Sequence, residues 1–215
     1  MVYVMSDIHG EAQRFQKMLK LIEFSADDTL YIIGDVADRH PGGVELWEEI
    51  MQTPNMILLK GNHEDMCVKT LGRNSEFGMR DLWRQNGGNH TYRELLYITG
   101  KAQRERLLKW LEELPVRIDI TVRDREFRLV HGWPSHTKED CLWGRPMDFL
   151  PMNLPEHSTA VIGHTPTPYL TGDLEVDFRI YYGDRYIAID CGCGNETPHR
   201  RLACLRLDDM EEFYT

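Results

Sequence analysis

The stretch VYVMSDIHGEAQRFQKMLKLI (residues 2–22) holds a strand and a helix with a polar turn between them. VYVM is short, apolar and β-branched, which predicts a strand. Ala12, Phe15, Met18, Leu19 and Ile22 then recur at helical spacing. The same alternation repeats twice. TLYII (29–33) predicts a strand and GVELWEEIMQ (43–52) a helix with Trp47, Ile50 and Met51 on one face. MILL (56–59) predicts a third strand, with a helix beginning near Asn62. Three strand–helix units in succession imply a parallel sheet covered by helices.

Downstream the pattern changes. Gly72, Gly78, Gly87, Gly88 and Gly100 interrupt any long period, so 72–100 reads as short helices and loops forming a cap. A helix returns in QRERLLKWLEEL (103–114), and Pro115 ends it. In VRIDITV (116–122) apolar residues alternate with polar ones, so one face is buried and the other wet. A turn at Asp124-Arg125 into EFRLVHG (126–132) predicts an antiparallel hairpin. TAVIG (159–163), YIAID (186–190) and RLACLRL (201–207) predict further strands. No repeat or long linker divides the 215 residues, which read as one domain.

Bulk properties narrow the function. A net charge of -10 argues against nucleic-acid backbones and anionic membranes as partners, and no apolar run is long enough to span a bilayer. Five scattered cysteines without a C-x-x-C pair fit a reducing cytoplasm, and no secretory leader is expected ahead of Asp7. Cys191 and Cys193 are expected to share one strand face, packed rather than reactive.

Five strand-like runs end in polar motifs: SDIHG, GDVADR, GNHE, VHG and GHT. Strand carboxyl ends in an α/β sheet converge on one edge, so Asp7, His9, Asp35, Asn62, His131 and His164 are expected to meet. Alone, each motif reads as a helix cap or a satisfied hydrogen-bonding group; Asp7, for example, could cap the first helix. Together, two Asp, three His and one Asn make a nitrogen–oxygen donor set suited to Mn, Fe or Zn rather than Ca or Mg. Six ligands are too many for one metal that keeps a water, but suit two divalent ions with a bridging carboxylate. Such a pair can hold a hydroxide and clamp a phosphoryl group.

The ordered set DIHG, GDVADR, GNHE, VHG and GHT resembles the calcineurin-like metallophosphoesterases, in particular the bacterial and phage-type serine/threonine phosphatases of the phosphoprotein phosphatase branch. The resemblance runs from Asp7 to Gly192. It implies an α/β fold, a two-sheet sandwich flanked by helices in four layers. Asp7 and His9 would bind the first metal and Asp35 would bridge. Asn62, His131 and His164 would complete the second site. His63, held by Asp38, would be the general acid. Arg39, Asn62 and Arg145 would bind the substrate phosphate, with Arg145 supplied by CLWGRP. An imidazolium offers a proton where charge develops on the leaving oxygen, and a guanidinium fork matches phosphate oxygens.

The expected reaction is hydrolysis of phosphoserine or phosphothreonine, in a phosphorylated protein or a small phosphate ester, by attack of a metal-bridging hydroxide. The alternative within the branch is a symmetrical bis(5'-nucleosyl)-tetraphosphatase. A catalytically silent scaffold is a third class, disfavoured because His63 and all six ligands are present. His40-Pro41 after Arg39 and Trp133 after VHG depart from the family pattern and are expected on the rim. His90 in RQNGGNHTY is a substrate-facing or merely solvated histidine. The tail GNETPHRRLACLRL carries no assigned chemistry.

Overall fold

The computed structural model describes residues 1–173 and 178–215. Its elements run β1 (Val2–Met5), α1 (Ala12–Leu21), β2 (Thr29–Ile32), α2 (Gly43–Gln52), β3 (Met56–Leu58), α3 (Asn62–Leu71), α4 (Met79–Gln85), α5 (Asn89–Arg93), a π-helical turn (Glu94–Ile98) and α6 (Lys101–Glu113). There follow β4 (Arg117–Val122), β5 (Arg125–Val130), α7 (Lys138–Trp143), a short 3-10 turn (Pro146–Asp148), β6 (Thr159–Ile162), α8 (Pro168–Thr171), β7 (Tyr181–Tyr182), β8 (Tyr186–Ala188), β9 (Ala203–Arg206) and β10 (Glu211–Tyr214).

The strands form two five-stranded sheets, ordered β10-β9-β1-β2-β3 and β4-β5-β6-β8-β7. β1, β2 and β3 are parallel, as the strand–helix repeat predicts, while β9 and β10 extend that sheet antiparallel. In the second sheet β4 and β5 form the expected hairpin, and β5, β6 and β8 run parallel. The hairpin turn is Arg123-Asp124, one residue earlier than expected, because Val122 pairs with Arg125 and Arg123 takes a left-handed φ of 54°.

The period of two along each strand divides the apolar residues between layers. Val4, Ile33, Leu59, Leu129, Val161, Ile187 and Leu205 pack between the sheets. Their neighbours Met5, Ile32 and Leu58 face the other way, against Phe15 and Met18 of α1, Trp47 and Ile50 of α2, and Leu107 and Leu111 of α6. Val130, Ala160, Ile162 and Ala188 face a thinner outer layer containing Cys141 of α7 and Leu170 of α8. The result is a two-sheet α/β sandwich with helices outside. Among the described residues no helix is long and apolar enough to cross a membrane.

Two expectations about buried residues need correction. Cys191 and Cys193 do not share a face, since Cys191 lies between the sheets and Cys193 lies on the helix side. β8 has already ended, and Gly192 turns the chain with φ 69°. Trp133 is not on the rim. The chain folds back after β5 through Gly132 N–H to Cys141 O and Trp133 N–H to Asp140 O. This buries the indole against Tyr186, and its Nε1 donates to Leu150 O.

Candidate metal centre

All five polar motifs follow strands that run parallel within their sheets, so the two sheets deliver them to one end of the sandwich. The loops are laced together by backbone bonds: Asp7 N–H to Gly34 O, His9 N–H to Asp35 O and Gly10 N–H to Val36 O. Six of the eleven non-glycine residues with positive φ among those described are Asp7, His9, Asp35, Asp38, Arg39 and His164. Asp and His tolerate this region better than most residues, but such clustering is held by its surroundings and marks a site under constraint. Where the two sheets meet, the backbone of Gly163 lies so close to Ser6 and Asp7 that a Cβ would collide with Ser6 Oγ and Asp7 Oδ2.

Asp7, His9, Asp35, Asp38, Asn62, His63 and His131 are each no more than 2% exposed, too buried to hold charge without partners. Asp35 is the hub. Its Oδ1 accepts the His63 backbone N–H at 3.0 Å. Its Oδ2 faces three imidazole nitrogens, Nε2 of His131 at 3.3 Å and Nε2 of His9 and of His63 at 3.8 Å each. Asp7 Oδ2 accepts from Ser6 Oγ and from His164 N–H, and Oδ1 lies 3.9 Å from His9 Nε2. Asn62 Oδ1 is 2.8 Å from His131 Nε2.

Two groups have donor atoms close enough to hold an ion, namely His9, Asp35 and His63, and Asp35, His131 and His164. Asp35 belongs to both. The first group contains His63 where the sequence reading has Asp7, yet His63 is set apart by its Nδ1, which bonds Asp38 Oδ2 at 2.6 Å. Although burial opposes it, the charges of Asp35 and Asp38 raise the His63 pKa, and a protonated ring has no lone pair for a metal.

The donor set fits divalent ions in its details. His9 Nδ1–H donates to Ala37 O at 3.1 Å and His131 Nδ1–H to Ile33 O at 2.8 Å, which leaves Nε2 of each ring free to ligate. His164 Nε2 is buried with no hydrogen-bond partner among the described residues. His131 Nε2 sits between the oxygens of Asn62 and Asp35, an arrangement that only a cation, either a proton or a metal, makes favourable. Burial works against a charged His131, but Asp35 outweighs it and the pKa is pushed up to about 10. Burial and the His131 charge bring His164 down to about 3. Burial, with Arg39 and His63 adding to it, holds His9 well below the usual histidine range. Asp35 stays well below the carboxylate range despite burial, because the charges of His131 and His63 dominate.

The two arginines flank this centre. Arg39 is exposed, with Nη1 3.3 Å from Asn195 Oδ1, and its charge reaches His9. Arg145 is partly exposed, follows Trp143, whose ring meets His164 edge-on, and reaches His164 with its charge. His40 lies at the edge as expected, its Nδ1 3.6 Å from Glu11 Oε1 and its Nε2 accepting from Arg200. His90 is exposed and pairs with Glu94 at 3.7 Å. A cavity of about 710 Å³ opens beside Arg39, lined also by Gln85, Asn86, Pro168, Tyr169 and Asn195.

Sequence reading missed Glu64, Asp190 and the place of the tail. Glu64, quoted within GNHE but given no role, accepts from the backbones of Asp35, Val36 and Gly61 and from Trp47 Nε1. Asp190 is buried beside Asp7, and burial first among its causes pushes it up to about 6. Its signal was present, since YIAID ends in an Asp before a Gly-containing turn just as the other motifs do. The tail reaches the site, where Gly194 packs against the His9 ring, Asn195 meets Arg39 and Arg200 pairs with Glu11 at 2.8 Å.

Comparison with known proteins agrees with this architecture. Serine/threonine-protein phosphatase 2 of Escherichia coli K12 is 29% identical over 147 residues, 67% of this chain and 62% of that protein. A symmetrical bis(5'-nucleosyl)-tetraphosphatase of Coxiella burnetii (strain Dugway 5J108-111) is 29% identical over 115 residues, 53% of this chain and 36% of that protein. The matched region thus spans less than two thirds of the length of either relative. Among solved structures, one assigned to a diadenosine tetraphosphatase superposes with a TM-score of 0.68 at 16% identity, covering 100% of this chain and 92% of that one. A Saccharomyces cerevisiae serine/threonine phosphatase with similarity to human phosphatase PP5 gives 0.63 at 13% identity, covering 100% and 78%. At these identities the structural likeness speaks to the fold. The family model for calcineurin-like phosphoesterase matches residues 1–189, which take in all five motifs, and this chain belongs to that family.

Proposed function

We propose that this chain is a two-metal phosphomonoesterase that hydrolyses phosphoserine and phosphothreonine. The observation that carries the reading is Asp35, one buried carboxylate that belongs to both groups of side chains able to hold an ion, with the His63–Asp38 pair beside it. Asp7, His9 and Asp35 would hold one divalent ion, and Asp35, Asn62, His131 and His164 the other. The nitrogen–oxygen donors suit manganese, with iron or zinc also accommodated. Bound there, the ions supply an activated water and neutralise phosphoryl oxygens.

The chain's own groups do the rest. Arg39, whose charge reaches His9, and Arg145, whose charge reaches His164, would grip the phosphate through bidentate guanidinium forks. Asp38 orients the His63 ring through Nδ1, and Nε2–H gives its proton to the departing alkoxide. General-acid help of this kind is worth about 10²–10⁴-fold. His63→Ala is therefore expected to lower kcat on a phosphoserine peptide by about that factor while metal content stays unchanged, measured by steady-state kinetics and elemental analysis. Equal turnover in the variant removes His63 from the reaction. No turnover of phosphopeptides or aryl phosphates with added manganese removes the function itself.

A second reading, symmetrical hydrolysis of dinucleoside tetraphosphates, has an observation of its own. The cavity beside Arg39 offers Tyr169, which is 55% exposed, as a stacking platform and Gln85, Asn86 and Asn195 as amide partners, groups that suit a nucleobase. Turnover of a dinucleoside tetraphosphate against a phosphopeptide, at equal metal, decides between the two.

A further inference from the structure

The segment WRQNGG (83–88), the last turn of α4 and the residues leading into α5, touches the candidate acid pair directly. Trp83 is fully buried, and its Nε1–H donates to Asp38 Oδ2 at 2.6 Å. This is the same oxygen that holds His63 Nδ1 at 2.6 Å. The other oxygen, Asp38 Oδ1, is buried with no hydrogen-bond partner among the described residues. Both side-chain donors to this carboxylate therefore meet on one atom.

The indole is itself held. Tyr92 meets it edge-on at 6.0 Å, and the Arg80 guanidinium lies 3.8 Å over the Tyr92 ring. Gly88 passes so close that a Cβ would run into the indole Nε1. The segment also holds the next residue, since Arg39 N–H donates to Gly87 O at 3.3 Å. Asp38 and Arg39 are both left-handed, at φ 75° and 63°, so the backbone here needs support from outside its own turn.

We propose that Trp83 is a positioning residue for His63: its indole N–H fixes the Asp38 carboxylate, and through it the imidazole that protonates the leaving oxygen. The inference rests on the general-acid reading above. In that step a bond forms from the attacking hydroxide oxygen to phosphorus, and the P–O bond to the leaving group breaks with its electron pair going to the leaving oxygen. The His63 Nε2–H bond breaks, an O–H bond forms and the ring is left neutral. A carboxylate held only by the ring it is meant to orient is free to turn about χ2 and carry the ring with it. Trp83 removes that freedom, and small misplacements of a reacting group are costly in rate.

The test uses leaving-group dependence, which a merely structural role would not alter. Trp83→Phe keeps an aromatic face toward Tyr92 and deletes the donor. In the manganese-loaded protein it is expected to lower kcat about 10-fold on phenyl phosphate, whose leaving group needs a proton. On 2,4-dinitrophenyl phosphate, whose leaving group does not, the loss is expected to stay within about twofold, with KM and metal content unchanged. Equal losses on both esters, or none on either, overturn the proposal.

A second measurement keeps the proposal testable should that variant not fold. In the unaltered protein the Trp83 indole proton should resonate downfield of the other four tryptophans, including Trp47 with its longer 3.1 Å bond to Glu64, and should be the one that moves upfield in Asp38→Asn. No shift in any indole resonance overturns it. His63→Ala separates the two levels. If that variant shows no leaving-group split, the general-acid reading fails. If it shows one that Trp83→Phe lacks, only the role of Trp83 fails.

Discussion

Asp35 shows how one residue can decide the character of a site. Its Oδ1 must accept the His63 backbone N–H, so an amide placed at this position has to direct its oxygen there. The NH₂ of Asp35→Asn would then face Nε2 of His9, His63 and His131, where the native oxygen draws those three nitrogens together. The variant is expected to bind one divalent ion or none, measured by elemental analysis and calorimetric titration. Retention of two ions at native affinity would rule out a shared carboxylate. Asp35 was legible in the sequence because GDVADR pairs a strand end with chemistry-bearing residues. Asp190 has the same placement but stands alone in its motif, and Glu64 gives no local sign that its distant partners lie on two other segments.

At the scale of elements, Glu64 joins the start of α3 to the loop after β2 and to Trp47 of α2. It takes the N–H groups of Asp35, Val36 and Gly61 at 2.8–3.0 Å and the indole at 3.1 Å. All four partners are donors, so a side chain that brings its own N–H groups leaves some of them facing another donor. Glu64→Gln should lower unfolding stability by about 1–3 kcal/mol, read from urea denaturation, with a further loss of metal affinity because Asp35 is displaced. Unchanged stability would show that the donors find other acceptors. Elements with strong periods were readable: β1 to β3, α1, α2, α6 and the β4–β5 hairpin were all anticipated. The two-residue strand β7 and the charged edge strand β10 carry too little pattern to be seen, and the π-helical turn at Glu94–Ile98 has no sequence period of its own. The contacts of Gly194 with His9 and of Asn195 with Arg39 are purely tertiary, so the tail carries no local sign of them.

For the whole molecule, the sandwich places a charged cluster at its end, and stability should follow what occupies that cluster. His131 is raised by Asp35, against burial, from 6.5 to about 10, so the folded chain binds its proton more tightly than the unfolded chain does. That contribution is complete below about 6.5 and disappears as pH climbs toward 10. His164 runs the other way. Lowered by burial and by His131 to about 3, it stays neutral where the unfolded chain would be protonated, and stability declines as pH falls from 6.5 toward 3. With chelator present, these two histidines together favour a stability maximum near neutrality. A divalent ion bound through His131 Nε2 would replace that proton, so its affinity is expected to rise with pH. An ion present at about 100 times its Kd adds about 2.7 kcal/mol. For a domain of this size that corresponds to about 5–10 °C in Tm. Thermal melts with manganese or with chelator should therefore diverge more at about pH 8.5 than at about pH 6. A manganese gain that is the same at both pH values would mean that the metal does not displace the His131 proton, and no gain at either would mean that the cluster holds no metal.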